Sequence, residues 1–240
     1  MDTLKFGEKG KIKMIAHRGA SGVELENTCP AFIVAGVKSY FGIETDVQVT
    51  LDGKYIIVHD ADLKRVAGLD MKIETSTFAD LRAVRLINPD GATERADLFL
   101  PSLEEYLFLC KKYGKVAVLE MCDIHASKHV EGIAAAVVAA GMFDRTIFID
   151  FSKENLLSLR AAYPNAKAQF LTDTLNEENI AFMLDNNLDA DIWYPAITRE
   201  FVDLMHQNGR VVNAWTVDTV EEATCLRDMG VDMITSNLLE

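Results

Sequence analysis
The chain has 240 residues, 49% hydrophobic and 25% charged, with a formal net charge of −13. That length and balance allow one large α/β unit or two small domains with a proper core. The acidic balance disfavours nucleic acid as a partner and leaves no polybasic membrane anchor. Met1 to Lys13 lacks the apolar stretch of a signal peptide, and no apolar run reaches the roughly 18 residues of a membrane span. Cys29, Cys110, Cys122 and Cys225 lie far apart with no C-x-x-C spacing. They read as reduced thiols of a cytoplasmic protein rather than a zinc site or disulfide framework.

In chain order, a strand over Ile12–Ala16 runs into His17-Arg18-Gly19, and Asn27/Thr28 mark the start of a helix over Thr28–Lys38. The run Phe41 to Thr50 alternates, with Ile43, Val47 and Val49 on one side and Glu44, Asp46 and Gln48 on the other, as in a strand over Gly42–Val49. Asp52-Gly53 suits a two-residue type I′ turn, with Lys54 to His59 returning. Such a turn pairs Leu51 with Lys54 and Asp46 with His59. Paired residues share a face with Cβ atoms about 5 Å apart. His59 is therefore expected beside Asp46, with Glu44 two positions along. Two carboxylates on one face repel unless one is protonated or a cation sits between them. An oxygen-only set favours Mg²⁺, Ca²⁺ or Mn²⁺ over zinc. Two histidines can move protons, and Arg18 can clamp a phosphate.

Further strands are expected at Val116–Met121, Thr146–Phe151, Lys167–Leu171, Ala190–Trp193, Val211–Val217 and Asp232–Thr235. Helices fit between them at Ala126–Ala140, Lys153–Ala162, Glu177–Asn186, Thr198–Gln207 and Val220–Met229. Ser127, Ser152, Asn176, Thr198 and Thr219 mark their starts, and Gly141, Asn187, Gly209 and Gly230 their stops. The longest apolar run, Ile133 to Met142, is short and Ala-rich and suits a buried helix face. Eight strands alternating with helices imply a closed (β/α)8 TIM barrel. An open doubly wound sheet lacks support, since no G-x-G-x-x-G or Walker motif follows a strand. The beat breaks once, between His59 and Val116, where an insertion at about 60–113 holds short helices at Phe78–Val84 and Leu103–Tyr113 and an exposed loop at Asn88–Pro101. Such an insertion lies at the C-terminal face of a barrel and suits equally a cap that helps choose the substrate and a merely decorative loop. His125 and His129 have a metal-capable spacing but no third ligand, and read as a solvated helix start.

The stretches HRGASGVELENT and AGVKSYFGIETDVQVTLDGKYIIVHDADLKR resemble the glycerophosphodiester phosphodiesterase family, as do TSTFADLRAVRL, LPSLEEYL, VLEM, NAWTVD and GVDMITS. The resemblance implies an α/β TIM barrel, residues 1–240 as one domain, with a small insertion after the second strand. It implies His17 and His59 as catalytic residues and Glu44, Asp46 and Glu120 as ligands of one divalent cation, Mg²⁺ or Ca²⁺ with Mn²⁺ as a further option. Arg18 matches the phosphate-contacting arginine, and Trp215 an aromatic that lines the pocket. The implied reaction is metal-dependent hydrolysis of a small-molecule glycerophosphodiester to sn-glycerol 3-phosphate and an alcohol. His17 would be the base and His59 the acid, in roles open to exchange, with the glycerol 2-hydroxyl or water as nucleophile. Two other readings stand beside it: a phosphodiesterase or lyase for a larger lipid-like diester, and a phosphate-binding barrel without turnover. Two departures stand out. Similar proteins usually carry a lysine two residues after the third carboxylate, where this chain has Cys122. Val23-Glu24-Leu25 replaces a segment that often has a proline, which is expected to alter a loop and leave the chemistry alone.

Overall fold
The computed structural model describes residues 2–7, 10–88, 95–122, 124 and 126–240. Its elements run β1 (Lys13–Ala16), α1 (Cys29–Val37), β2 (Gly42–Val49), β3 (Tyr55–Ile57), α2 (Lys64–Ala67), α3 (Phe78–Ala83), α4 (Leu103–Tyr113) and β4 (Val116–Met121). Then follow α5 (Ser127–Ala139), β5 (Thr146–Asp150), α6 (Lys153–Ala162), β6 (Lys167–Thr172), α7 (Glu177–Asp185) and β7 (Asp189–Trp193). The last are α8 (Arg199–Gln207), β8 (Val212–Trp215), α9 (Val220–Met229) and β9 (Met233–Ser236). Among the described residues, eight parallel strands pair in the order β1-β9-β8-β7-β6-β5-β4-β2, and β1 closes the ring by pairing with β2. This is the expected TIM barrel.

Both faces of its strands are covered, so β2 is buried along nearly its whole length. Alternation then sorts the side chains into two layers. Ile43, Val47, Ala117, Leu119 and Phe148 point out into the main core shared with the helices. Ile15, Val118, Ile147, Ile149, Leu171 and Met233 form a second core inside the ring. Helix boundaries follow local chemistry. Thr28, Ser152, Asn176, Thr198 and Thr219 each accept a backbone N–H from the first turn of their helices. Gly141, Asn187, Gly209 and Gly230 all adopt the left-handed backbone beyond a helix end. Ser127 does not cap: it lies inside the first turn of α5, and Ala126 occupies the cap without a side-chain bond. The buried face of α5 is carried by Val130, Ile133, Ala134 and Val137. Gly36 of α1 is required by a close approach, because a Cβ there would stand 2.5 Å from the Tyr113 ring of α4.

The β2–β3 hairpin departs from the expected register. The pairs are Val47 with Ile57, Gln48 with Ile56 and Val49 with Tyr55, which puts Asp46 opposite Val58, not His59. The turn is one residue longer than Asp-Gly alone suggests. Thr50 pairs with Lys54, and Leu51-Asp52-Gly53 form the loop with Gly53 at φ 72°. The Thr50 hydroxyl accepts from Lys54 N at 3.0 Å and donates to Asp52 at 2.7 Å, while Asp52 also accepts from Phe78 N at 2.8 Å. These bonds close a three-residue turn in place of the two-residue one.

Beside β3, α2, α3 and the segment leading into α4 enclose a small separate core of Leu25, Ile56, Val58, Leu63, Val66, Ile73, Leu81, Leu86, Leu98 and Leu100. The loop expected to be exposed is therefore partly buried, with Leu98 and Leu100 at 0% and 2% exposure, while its residues 89–94 lie outside the described residues. Phe99 packs under the Arg82 guanidinium at 4.5 Å. Glu24 of the departing Val23-Glu24-Leu25 segment receives Arg95 at 2.6 Å, and Leu25 enters the small core. Among the described residues no helix is long and apolar enough to cross a membrane.

Candidate active site
The C-terminal ends of β1, β2 and β4 bring the acidic and basic groups together. Glu44 and Asp46 point into the barrel from β2, and parallel pairing sets Asp46 beside Glu120 of β4. Both β2 carboxylates are buried, at 3% and 1% exposure. His17 follows β1, and Arg18, in the left-handed region at φ 53°, turns back over β2. Its amide donates to Glu44 Oε2 at 2.7 Å, and its Nε lies 3.3 Å from Asp46 Oδ2. Gly19 allows that turn, since a Cβ there would meet Ala31 of α1 at 2.8 Å. Asn27, also left-handed, donates to Asp46 at 2.6 Å and accepts from Thr45 at 2.7 Å.

His59 reaches the same place by a different route from the one the hairpin register implied. The chain leaves the ladder after Val58, and the Gln48 side-chain amide lies within hydrogen-bond reach of the carbonyls of Val58, His59 and Asp60 at 2.8 to 3.1 Å. That bends the His59 arm over the barrel mouth. His17, Arg18, Glu44, His59, Glu120 and Trp215 line one cavity of about 290 Å³, which Phe151, Leu171 and Ile149 complete on its apolar side. Asp46 lies beneath it, bonded as above. A second cavity of about 530 Å³ shares His59, Glu120 and Phe151 and adds Asp60, Cys122 and Asp150.

Each histidine is anchored at Nδ1. His17 Nδ1 lies 2.7 Å from Asn237 Oδ1. Asn237 Nδ2 donates to Asp218 at 2.7 Å, so its oxygen must face the ring and His17 Nδ1 carries the proton. His59 Nδ1 lies 2.7 Å from Asp60 Oδ1, an acceptor, so it too is protonated there. Among the described residues neither Nε2 has a hydrogen bond; that of His17 stands 4.0 Å from Glu44. Burial, reinforced by the Arg18 charge, holds His17 below the usual histidine value. Burial alone would raise the Asp60 carboxyl, but hydrogen bonds from Arg65 and His59 outweigh it and bring it to about 2. Arg65 joins the two arms: it binds Asp60 at 2.7 Å and Glu26 at 2.8 Å, and Glu26 holds Arg18 at 2.9 Å.

The carboxylates are short of positive charge. Burial, then Asp46 and Glu120, push Glu44 well above the usual carboxylate range, and Glu44 Oε1 is buried without a partner among the described residues. Burial and Asp46 bring Glu120 up to about 8. An orphaned buried oxygen amid three mutually repelling carboxyls is the donor set a hard cation satisfies, so the residues fit one. The tightest group among the described residues is Asp46, Glu120 and Cys122, whose donor atoms lie within 4.8 Å of one another, with Glu44 beside it. The lysine that the family resemblance implies has no substitute: among the described lining residues of both cavities, Arg18 is the one arginine or lysine.

The family model described as the glycerophosphoryl diester phosphodiesterase family matches residues 17–239. The chain belongs to that family. It is 30% identical over 230 residues to the Bacillus subtilis protein YqiK, covering 92% of each chain. It is 27% identical over 260 residues to a glycerophosphodiester phosphodiesterase of the same species, covering 95% of this chain and 84% of that one. Among solved structures, an Oleispira antarctica phosphodiesterase in complex with the product sn-glycerol-3-phosphate superposes with a TM-score of 0.83 at 23% identity, covering 98% of this chain and 96% of the other. As a member of this family the chain is an enzyme that hydrolyses phosphodiesters.

Sequence reasoning left several contributors without a role. Glu26, Asp60 and Arg65 stand within the family-like stretches, and the adjacency of Asp60 to His59 was a signal. Asp218 likewise closes the family-like NAWTVD stretch, while Asn237 carried no signal and is brought to His17 by barrel closure. Trp215 donates its ring N–H to Asp191 O at 3.3 Å and meets Phe151 edge-on at 5.9 Å. His129 stacks edge-on with Tyr55 at 6.4 Å, away from the lining of both cavities, and His125 lies outside the described residues.

Proposed function
We propose that this enzyme hydrolyses glycerophosphodiesters to sn-glycerol 3-phosphate and an alcohol by histidine acid–base catalysis with a divalent cation. The observation that carries the reading is the pair of histidines lining one cavity with Glu44 and Glu120, each anchored at Nδ1 and open at Nε2. Glu44, Asp46 and Glu120 would hold Mg²⁺ or Ca²⁺, with Mn²⁺ as a third option, which supplies Lewis-acid polarisation of the phosphate.

The chain's own groups do the rest. Arg18, fixed through Glu26 and its own amide, presents a positive charge to the phosphate. His17 is neutral, held by a neutral amide and set beside a guanidinium, and takes the nucleophile's proton at Nε2. His59 has a carboxylate behind its ring, which compensates the charge of an imidazolium, and gives a proton to the leaving oxygen. Assistance of this kind contributes about 10²- to 10⁴-fold. The segment at 60–113 acts as a cap on one barrel unit, positioning His59 through Asp60 and Arg65. Four free thiols accord with a cytoplasmic home.

A larger lipid-like diester is the second reading. The 530 Å³ cavity beside His59 and the exposed Phe151 favour it. The burial of Leu98 and Leu100 removes the apolar rim it would use. The test is release of glycerol 3-phosphate from glycerophosphocholine and glycerophosphoethanolamine, with EDTA, Mg²⁺ and Ca²⁺ compared. Metal-dependent release is expected; release undiminished by EDTA would remove the cation from the mechanism, and no release with any ion would overturn the substrate class.

A further inference from the structure
We infer that Cys122 is itself a ligand of the cation at this site, so that the centre prefers a thiophilic divalent ion of the Zn²⁺ or Cd²⁺ type to Mg²⁺ or Ca²⁺. The inference rests on the reading of the acidic cluster as a cation centre and adds a sulfur donor to its oxygen set, which moves the preferred ion from the hard class to a softer one. Cys122 Sγ lies 3.2 Å from Glu120 Oε1 and 3.6 Å from Asp46 Oδ1. Metal–sulfur and metal–oxygen bonds of about 2.3 and 2.1 Å at a tetrahedral angle place sulfur and oxygen about 3.6 Å apart. The two sulfur–oxygen separations thus already stand near that edge length, and the donor atoms of all three side chains lie within 4.8 Å of one another. An independent observation points to a cation beside this group: Glu44 Oε1, on the same interior face of β2 as Asp46, is buried and without a partner among the described residues.

The backbone fixes Cys122 in this position. Its amide donates to Val47 O at 3.0 Å, extending the β4–β2 ladder by one residue, so the thiol is set beside Asp46 by sheet register rather than by a loop. A lysine here would offer a cation no donor, whereas a thiolate is a donor that favours a soft ion. On binding, the thiol proton leaves to solvent as the sulfur–metal bond forms, with no change of oxidation state. The bland alternative is a packed thiol donating its proton to Glu120. It has the same geometry without an ion and differs only when one is added.

Cd²⁺ titration followed by ultraviolet thiolate-to-metal charge-transfer absorbance tests the inference. Cys225→Ser protein is used because Cys225 is the exposed thiol. A band saturating at one equivalent is expected, and it should vanish when Cys122→Ser is added. By calorimetry, the preference for Cd²⁺ over Mg²⁺ should fall at least about tenfold in Cys122→Ser, since even an outer partner of a ligand is worth that much. Stoichiometric Cd²⁺ binding without a band, or an unchanged preference in Cys122→Ser, overturns the inference while leaving the cation centre standing. Failure of both Cd²⁺ and Mg²⁺ to bind overturns the cation centre and this inference together. Should Cys122→Ser not fold, the band in the Cys225→Ser protein still decides.

Discussion
The two walls of the barrel mouth are built by the same strand alternation and do opposite things. The wall of β1, β2 and β4 carries His17, Glu44, Asp46 and Glu120; the wall of β5, β6 and β8 carries Ile149, Phe151, Leu171 and Trp215. Burying side chains such as Leu171 stabilises the fold by about 1.5–3 kcal/mol each. Burying Glu44 and Glu120 in charged form opposes folding, and the same burial pushes both carboxyls above the usual carboxylate range. One wall thus pre-organises charge that only a ligand relieves, and the other supplies stability and a surface for the organic part of a substrate.

Breaking the charged wall should have the largest effect. Glu44→Gln is expected to lower kcat by about a thousandfold, the loss of several kcal/mol of electrostatic stabilisation, and to weaken cation binding in calorimetry. Full activity with metal in that variant would remove Glu44 from the ligand set. His59→Ala should lose about 10²- to 10⁴-fold on choline or ethanolamine esters and far less on a p-nitrophenyl ester, whose leaving group needs no proton. Equal losses on both would take the acid role from His59. A smaller effect belongs to stability. Burial brings Asp191, the carboxyl that lines the cavity with Leu171 and Trp215, up to about 7 from 3.8. The folded protein therefore keeps a proton the unfolded chain releases, and this contribution is complete below about pH 4 and lost as pH rises to about 7. Asp191→Asn should raise stability at pH 8 by at most about 4 kcal/mol and little at pH 4, read from urea midpoints. The smallest effect is on the far wall: Trp215→Ala should raise KM about tenfold with kcat nearly unchanged, the signature of lost apolar contact. A kcat loss matching that of His59→Ala would dissolve the distinction between the walls.

What was legible in the sequence was what local chemistry decides. The helices α4, α6 and α9 and the strands β2 and β4 end where their caps and alternation say they should. The hairpin register was not legible, because its length depends on Asp52 bonding to Phe78 N, 26 residues away, as well as on Thr50. His59 still meets Glu44 and Glu120, held by Gln48 rather than by pairing with Asp46. The short α2 has too few residues to show a period, so Arg65 had no visible purpose. Asn237 is 220 residues from His17, a partnership only barrel closure reveals.

The small core beside β3 has a genetic consequence. It holds Leu25 and Val58, the neighbours of Glu26 and His59, and Leu63 and Val66, which flank Arg65. A cavity made there, by Leu81→Ala or Leu98→Ala, would tilt those supports by fractions of an ångström while sparing the barrel. In an activity screen such variants would score as catalytic lesions although no changed atom touches a substrate. Sequence drift in this segment would then change turnover and choice of alcohol before it changed the scaffold.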